Sequence, residues 1–155
     1  YWQAVASEAN CQDSVEQRRR LTLIDNRSWS RPSLPIVRWA AQIKNAGYAT
    51  AILSNMPLAV REYLEQECDW FPPFDHQVYS CDVRCIKPDA RIYQHCLELL
   101  GVDAGEVLFL DDLAPNIEAA RKLGMHTLLF QSPRQAADEV SKCFNLPQLQ
   151  AVAHP

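Results

Sequence analysis

Val107-Leu108-Phe109-Leu110-Asp111-Asp112-Leu113-Ala114-Pro115-Asn116 is a short apolar run that stops on two carboxylates and passes into a proline-started segment. Val107 to Leu110 is too brief for a helix and suits a strand buried on both faces, as in a parallel sheet. Pro115 fits the first turn of a helix, where its missing N–H costs nothing. That helix is expected to run to Leu123 and to stop at Gly124, before a further apolar strand over Thr127 to Phe130.

The same alternation extends towards the amino terminus. Ile36, Trp39, Ala40 and Ile43 share a helical face, Ala46-Gly47 stops that helix, and Tyr48 to Leu53 reads as a buried strand closed by Ser54. Leu58 to Glu67 reads as a helix, Gln77 to Ser80 as a short strand, and Asp89 to Leu100 as a helix ended by Gly101. Strands alternating with helices of about ten residues predict an α/β, doubly wound parallel sheet, whose ligands bind beyond the carboxyl ends of the strands. The first thirty or so residues carry apolar positions at helical intervals (Trp2, Val5 and Ala9, then Leu21 and Ile24) but no strand.

Composition narrows the function classes. At 155 residues and 48% hydrophobic content the chain is sized for one domain with a real core. A formal charge of −4, with Arg18-Arg19-Arg20 as the one basic run, argues against nucleic acid or an anionic membrane as partner. No apolar stretch is long enough for a membrane span, and Tyr1-Trp2-Gln3-Ala4 lacks the layout of a signal peptide, so a cytoplasmic protein is expected. Cys11, Cys68, Cys81, Cys85, Cys96 and Cys143 are scattered and are expected as reduced thiols; Cys81 and Cys85 lack a second ligand pair at zinc spacing.

The residues at the predicted strand ends carry phosphate chemistry. Ser54 and Asn55, placed before a helix, offer donors to a phosphoryl oxygen, although a plain helix cap has the same composition. Lys87, ahead of Pro88 and Asp89, is a point charge suited to phosphate, or simply a surface lysine. Asp111 and Asp112 repel one another and attract a hard divalent cation such as Mg2+; capping of the helix from Pro115 is the alternative.

In order and spacing these pieces resemble the haloacid dehalogenase superfamily of hydrolases. Leu53-Ser54-Asn55, Lys87-Pro88-Asp89 and Leu110-Asp111-Asp112 with Asn116 look like its second, third and fourth motifs, and the resemblance covers roughly Pro35 to Phe130. It implies a Rossmann-like core and an aspartyl-phosphate mechanism on a small phosphorylated substrate. Ser54, Asn55 and Lys87 would bind the phosphoryl group, with Ser54 and Lys87 catalytic; Asp111 and Asp112 would hold magnesium, supported by Asn116. The adjacent acidic pair favours a magnesium-dependent phosphatase over a metal-free 2-haloacid dehalogenase.

The family's first motif, a strand ending in Asp-x-Asp, has no counterpart. The closest segment, Leu21-Thr22-Leu23-Ile24-Asp25-Asn26, has Arg27 at the second acid's position and lies 29 residues before Ser54, too near for a cap to intervene. The expectation is therefore an amino-terminal truncation: residues 1–33 the remnant of a helical cap, residues 34–155 a core without its central first strand, and no nucleophile. The Ser54 and Asp111 strands are then expected either not to close directly on each other or to take a replacement strand from another segment or chain, so the gap invites strand exchange or self-association. A truncated binding or assembly module is the non-catalytic alternative. A cysteine phosphatase, suggested by Cys85 and Arg91 at Cys-x5-Arg spacing, is disfavoured by Pro88 and the lack of glycine in that loop.

Overall fold

The computed structural model describes residues 14–144 and 146–148. Helix α1 spans Val15–Trp29 and α2 Leu34–Asn45; β1 is Ala51–Ser54, α3 Leu58–Glu67, β2 His76–Tyr79 and α4 Ser80–Val83. Then come α5 at Ala90–Leu100, a 3-10 turn at Ala104–Glu106, β3 at Leu108–Asp111, α6 at Ala114–Lys122, β4 at His126–Leu129 and α7 at Pro133–Cys143. Trp2, Val5, Ala9 and Cys11 lie outside the described residues. From Val15 onward the expected helix forms, entered through a capping box between Ser14 and Gln17.

The strands pair in parallel, β1 with β2 and β3 with β4, as two separate two-stranded sheets. Thus β1 and β3, the strands ending in Ser54 and Asp111, are not ladder partners, as the lack of a first-motif strand leads one to expect. Alternation along each strand distributes the core over two faces. Leu53 and Phe109 pack with Ile92, Tyr93 and Cys96 of α5 and Ala120 of α6, so one helical layer serves both strand pairs. On the other face Ile52 packs with Val60 and Leu64 of α3. There Leu108 and Leu110 pack with Trp39 of α2 and with Ala136 and Val140 of α7. This is the doubly wound α/β arrangement, with α1 lying against α3 outside those layers.

Strand limits differ slightly from expectation, for identifiable reasons. The first strand starts at Ala51 rather than Tyr48, because Asp75 Oδ2 captures both the Thr50 N–H at 2.9 Å and the Thr50 hydroxyl at 3.0 Å. Ser80 begins α4 instead of ending β2; its buried hydroxyl accepts the Met56 N–H at 2.9 Å and so leaves the ladder direction. Gly101 does terminate α5, adopting φ 66, a left-handed conformation that glycine reaches without a Cβ clash.

Candidate active site at the strand ends

Ser54 and Asp111 are the last residues of β1 and β3, so the fold delivers both to the same carboxyl edge. Between them stands Lys87. Its Nζ donates to Leu53 O at 2.7 Å and to Asp111 Oδ2 at 2.6 Å, and the same ammonium lies over the Phe109 ring, 5.6 Å from the centroid. The two side chains of this ion pair are only 10% and 5% exposed, which makes the contact far less screened than a surface bridge.

Asp111 is satisfied on its other oxygen as well. Oδ1 accepts the Leu113 N–H at 2.9 Å and the Asn116 amide at 2.8 Å, so the carboxylate both anchors the start of α6 and neutralises Lys87. Asn116 in turn accepts at its main-chain oxygen from the Tyr93 hydroxyl at 3.0 Å. Burial, and secondarily the Asp111 charge, push the Tyr93 phenol up to about 12, so it remains a donor across the working range. Asp112, by contrast, is exposed, and no hydrogen bond or ion pair engages its carboxylate among the described residues.

Asn55 occupies a position that sequence could not specify. Its amide donates to Lys87 O at 2.9 Å while its carbonyl oxygen accepts the Lys87 N–H at 2.7 Å. The side chain expected on phosphate is therefore engaged with the lysine main chain. The Ser54 hydroxyl has no partner among the described residues. Ser80, read from the sequence only as the end of a strand, proves to hold the post-strand loop through Met56, a bond across 24 residues that leaves no periodic trace.

The Cys85–Arg91 segment is not an anion-cradling loop. The Arg91 guanidinium is engaged by Asp89, with Nη2 to Oδ2 at 2.7 Å, and this bonding holds the Asp89 carboxyl at about 2. Within the loop, the Lys87 N–H is already taken by Asn55. Beside it lies an open groove of about 660 Å³, lined among others by Asn55, Met56, Pro57, Cys81, Arg84 and Ile86.

The donor set fits magnesium chemistry in kind. Among the described residues no group of three or more His, Cys, Asp or Glu side chains forms a ready-made cage. Magnesium, however, retains several waters and needs one or two carboxylates plus substrate phosphate. An exposed, unengaged Asp112 beside a buried Asp111 meets that requirement. No helix of the described residues is long and apolar enough to cross a membrane.

The chain is 36% identical to bifunctional epoxide hydrolase 2 of Sus scrofa over 125 residues, covering 78% of this chain and 22% of that protein. A phosphatase of Mycobacterium tuberculosis is 32% identical over 64% of this chain and 46% of its own length. The solved structure of a dehalogenase in an intermediate complex matches with a TM-score of 0.55 and 31% identity, over 61% of this chain and 42% of that one. The chain spans about a fifth of the length of the epoxide hydrolase relatives it matches. Residues 13–124 match the haloacid dehalogenase-like hydrolase family, and the chain belongs to that family.

Proposed function

We propose that this chain is the phosphoryl- and magnesium-holding part of a phosphatase for a small phosphorylated metabolite. The observation that carries the reading is the placement of Lys87 between the ends of β1 and β3. An ammonium has three N–H donors; two go to Leu53 O and Asp111, which leaves one for a phosphoryl oxygen beside the Ser54 hydroxyl, itself without a partner among the described residues. Ser54 and Lys87 would thus hold and neutralise the transferring group, the main requirement of phosphoryl transfer. Magnesium bound at Asp112, with Asp111 behind it, would offset further negative charge. The open groove beside Asn55 offers space for the organic part of the substrate.

The family's mechanism needs an attacking aspartate from an Asp-x-Asp strand, and the 155-residue sequence contains no Asp-x-Asp. We therefore place residues 1–33 in the cap and 34–155 in the core, and expect no turnover by this chain alone. The same absence favours the second reading, a binding or assembly module, in which the edges of β1 and β3 that are unpaired among the described residues accept a strand from another chain. A 2-haloacid dehalogenase is disfavoured by the free carboxylate of Asp112, which metal-free displacement does not need. Unpaired Cys68, Cys81, Cys85, Cys96 and Cys143 fit the reducing cytoplasm.

The test is hydrolysis of a generic aryl phosphate with magnesium by the purified chain. Release at the buffer rate is expected, and magnesium-dependent turnover would overturn the assignment of a site without a nucleophile.

A further inference from the structure

Lys87 lies outside every helix and strand, in a segment where Pro88 contributes no N–H. Its own N–H and C=O find their partners in a single side chain, Asn55, at 2.7 and 2.9 Å. A carboxamide presents one donor and one acceptor side by side, which matches the donor and acceptor of a residue's main chain; aspartate supplies only acceptors at neutral pH and alanine neither. Asn55 is covalently next to Ser54, whereas Lys87 is distant from both in sequence. The clamp therefore ties the position of the ammonium to the position of the Ser54 hydroxyl.

We propose that Asn55 is a positioning residue: it holds the Lys87 main chain so that Nζ reaches Leu53 O and Asp111 and stands beside Ser54. This rests on the proposed phosphoryl role only for its purpose; the clamp itself is a statement about Lys87. Asn55 places the cation and leaves contact with the phosphoryl group to Ser54 and Lys87.

The experiment follows the Lys87 ammonium by 15N–1H NMR in the 155-residue chain at low temperature. An ammonium that is largely buried and held by two acceptors exchanges slowly with water, and Lys87→Met identifies its signal by removing it. Asn55→Ala should abolish the slow signal. Asn55→Asp, which keeps an acceptor for the Lys87 N–H and loses the donor to Lys87 O, should leave it broadened and faster in exchange. Ser80→Ala loosens the neighbouring loop through Met56 without touching Lys87, and should leave the signal intact.

A wild-type chain with no protected lysine signal overturns the proposal, as does a signal that survives Asn55→Ala. Equal loss in Ser80→Ala overturns it too, because Asn55 would then be acting as general scaffold. If Asn55→Ala does not fold, Asn55→Asp decides: an unchanged signal refutes the clamp. The graded loss, seen together with no response of Ser54 or Lys87 to inorganic phosphate, would leave the clamp standing and reject the phosphatase reading.

Discussion

Replacing Lys87 by Met removes the charge, and with it the ammonium's contact over the Phe109 ring, while keeping an unbranched apolar stem of similar length, so electrostatics dominates. Breaking a buried pair by removing one partner costs roughly 3–5 kcal/mol, because the other charge stays buried. Asp111 keeps the Leu113 N–H and the Asn116 amide, which places the loss near the low end, about 3 kcal/mol. Leu53 O also loses its ammonium donor. Asp111→Asn alone strands the lysine and should cost about 2–3 kcal/mol. With both charges removed no buried ion remains, and the double variant Lys87→Met/Asp111→Asn should be more stable than Lys87→Met, despite carrying an additional substitution. Urea unfolding with matched m-values measures all three. Additivity within about 0.5 kcal/mol, the behaviour of independent sites, would refute the buried coupling. So would a cost below about 1 kcal/mol for Lys87→Met, the value for a solvated surface pair.

Other outcomes follow from the same structure. The Asp75 carboxyl is held at about 2, first by the Lys44 hydrogen bond and then by the Thr50 N–H. A lowered carboxyl pKa stabilises the fold above the ordinary value of 3.8, and that contribution is lost as pH falls towards 2. Asp75→Asn should thus cost about 1 kcal/mol at neutral pH, after discounting for exposure, and flatten acid unfolding between about pH 4 and 2. Asp112→Asn should abolish magnesium-induced shifts of the amides from Asp111 to Leu113; unchanged shifts would reject the metal assignment. Gly101→Ala meets no atom within 4 Å, so its cost should be purely conformational, about 1 kcal/mol in urea unfolding.

The layered fold was legible because its signals are local. The run Val107 to Leu110, the stops at Gly101 and Gly124, and the alternation of short strands with helices each follow from propensity and periodicity. The split between β1 and β3 was also legible, from the want of a strand ending in Asp-x-Asp. What the sequence concealed are side-chain bonds between distant residues. Thr50 and Asp75 trim the first strand, Ser80 reaches Met56, and Asn55 grips Lys87 across 32 residues. Such pairs leave no periodic pattern, so motif reading gathered Ser54, Asn55 and Lys87 into one set without separating the groups free for substrate from the one that positions another.

The central claim, that Ser54, Lys87, Asp111 and Asp112 form a phosphate- and magnesium-holding site, is tested most directly by titrating inorganic phosphate into the labelled chain in the presence of magnesium. Saturable shifts at the Ser54 and Lys87 amides are expected, reduced without magnesium and lost in Ser54→Ala. No localised response, or a response unaltered by Ser54→Ala and by removal of magnesium, would contradict the account.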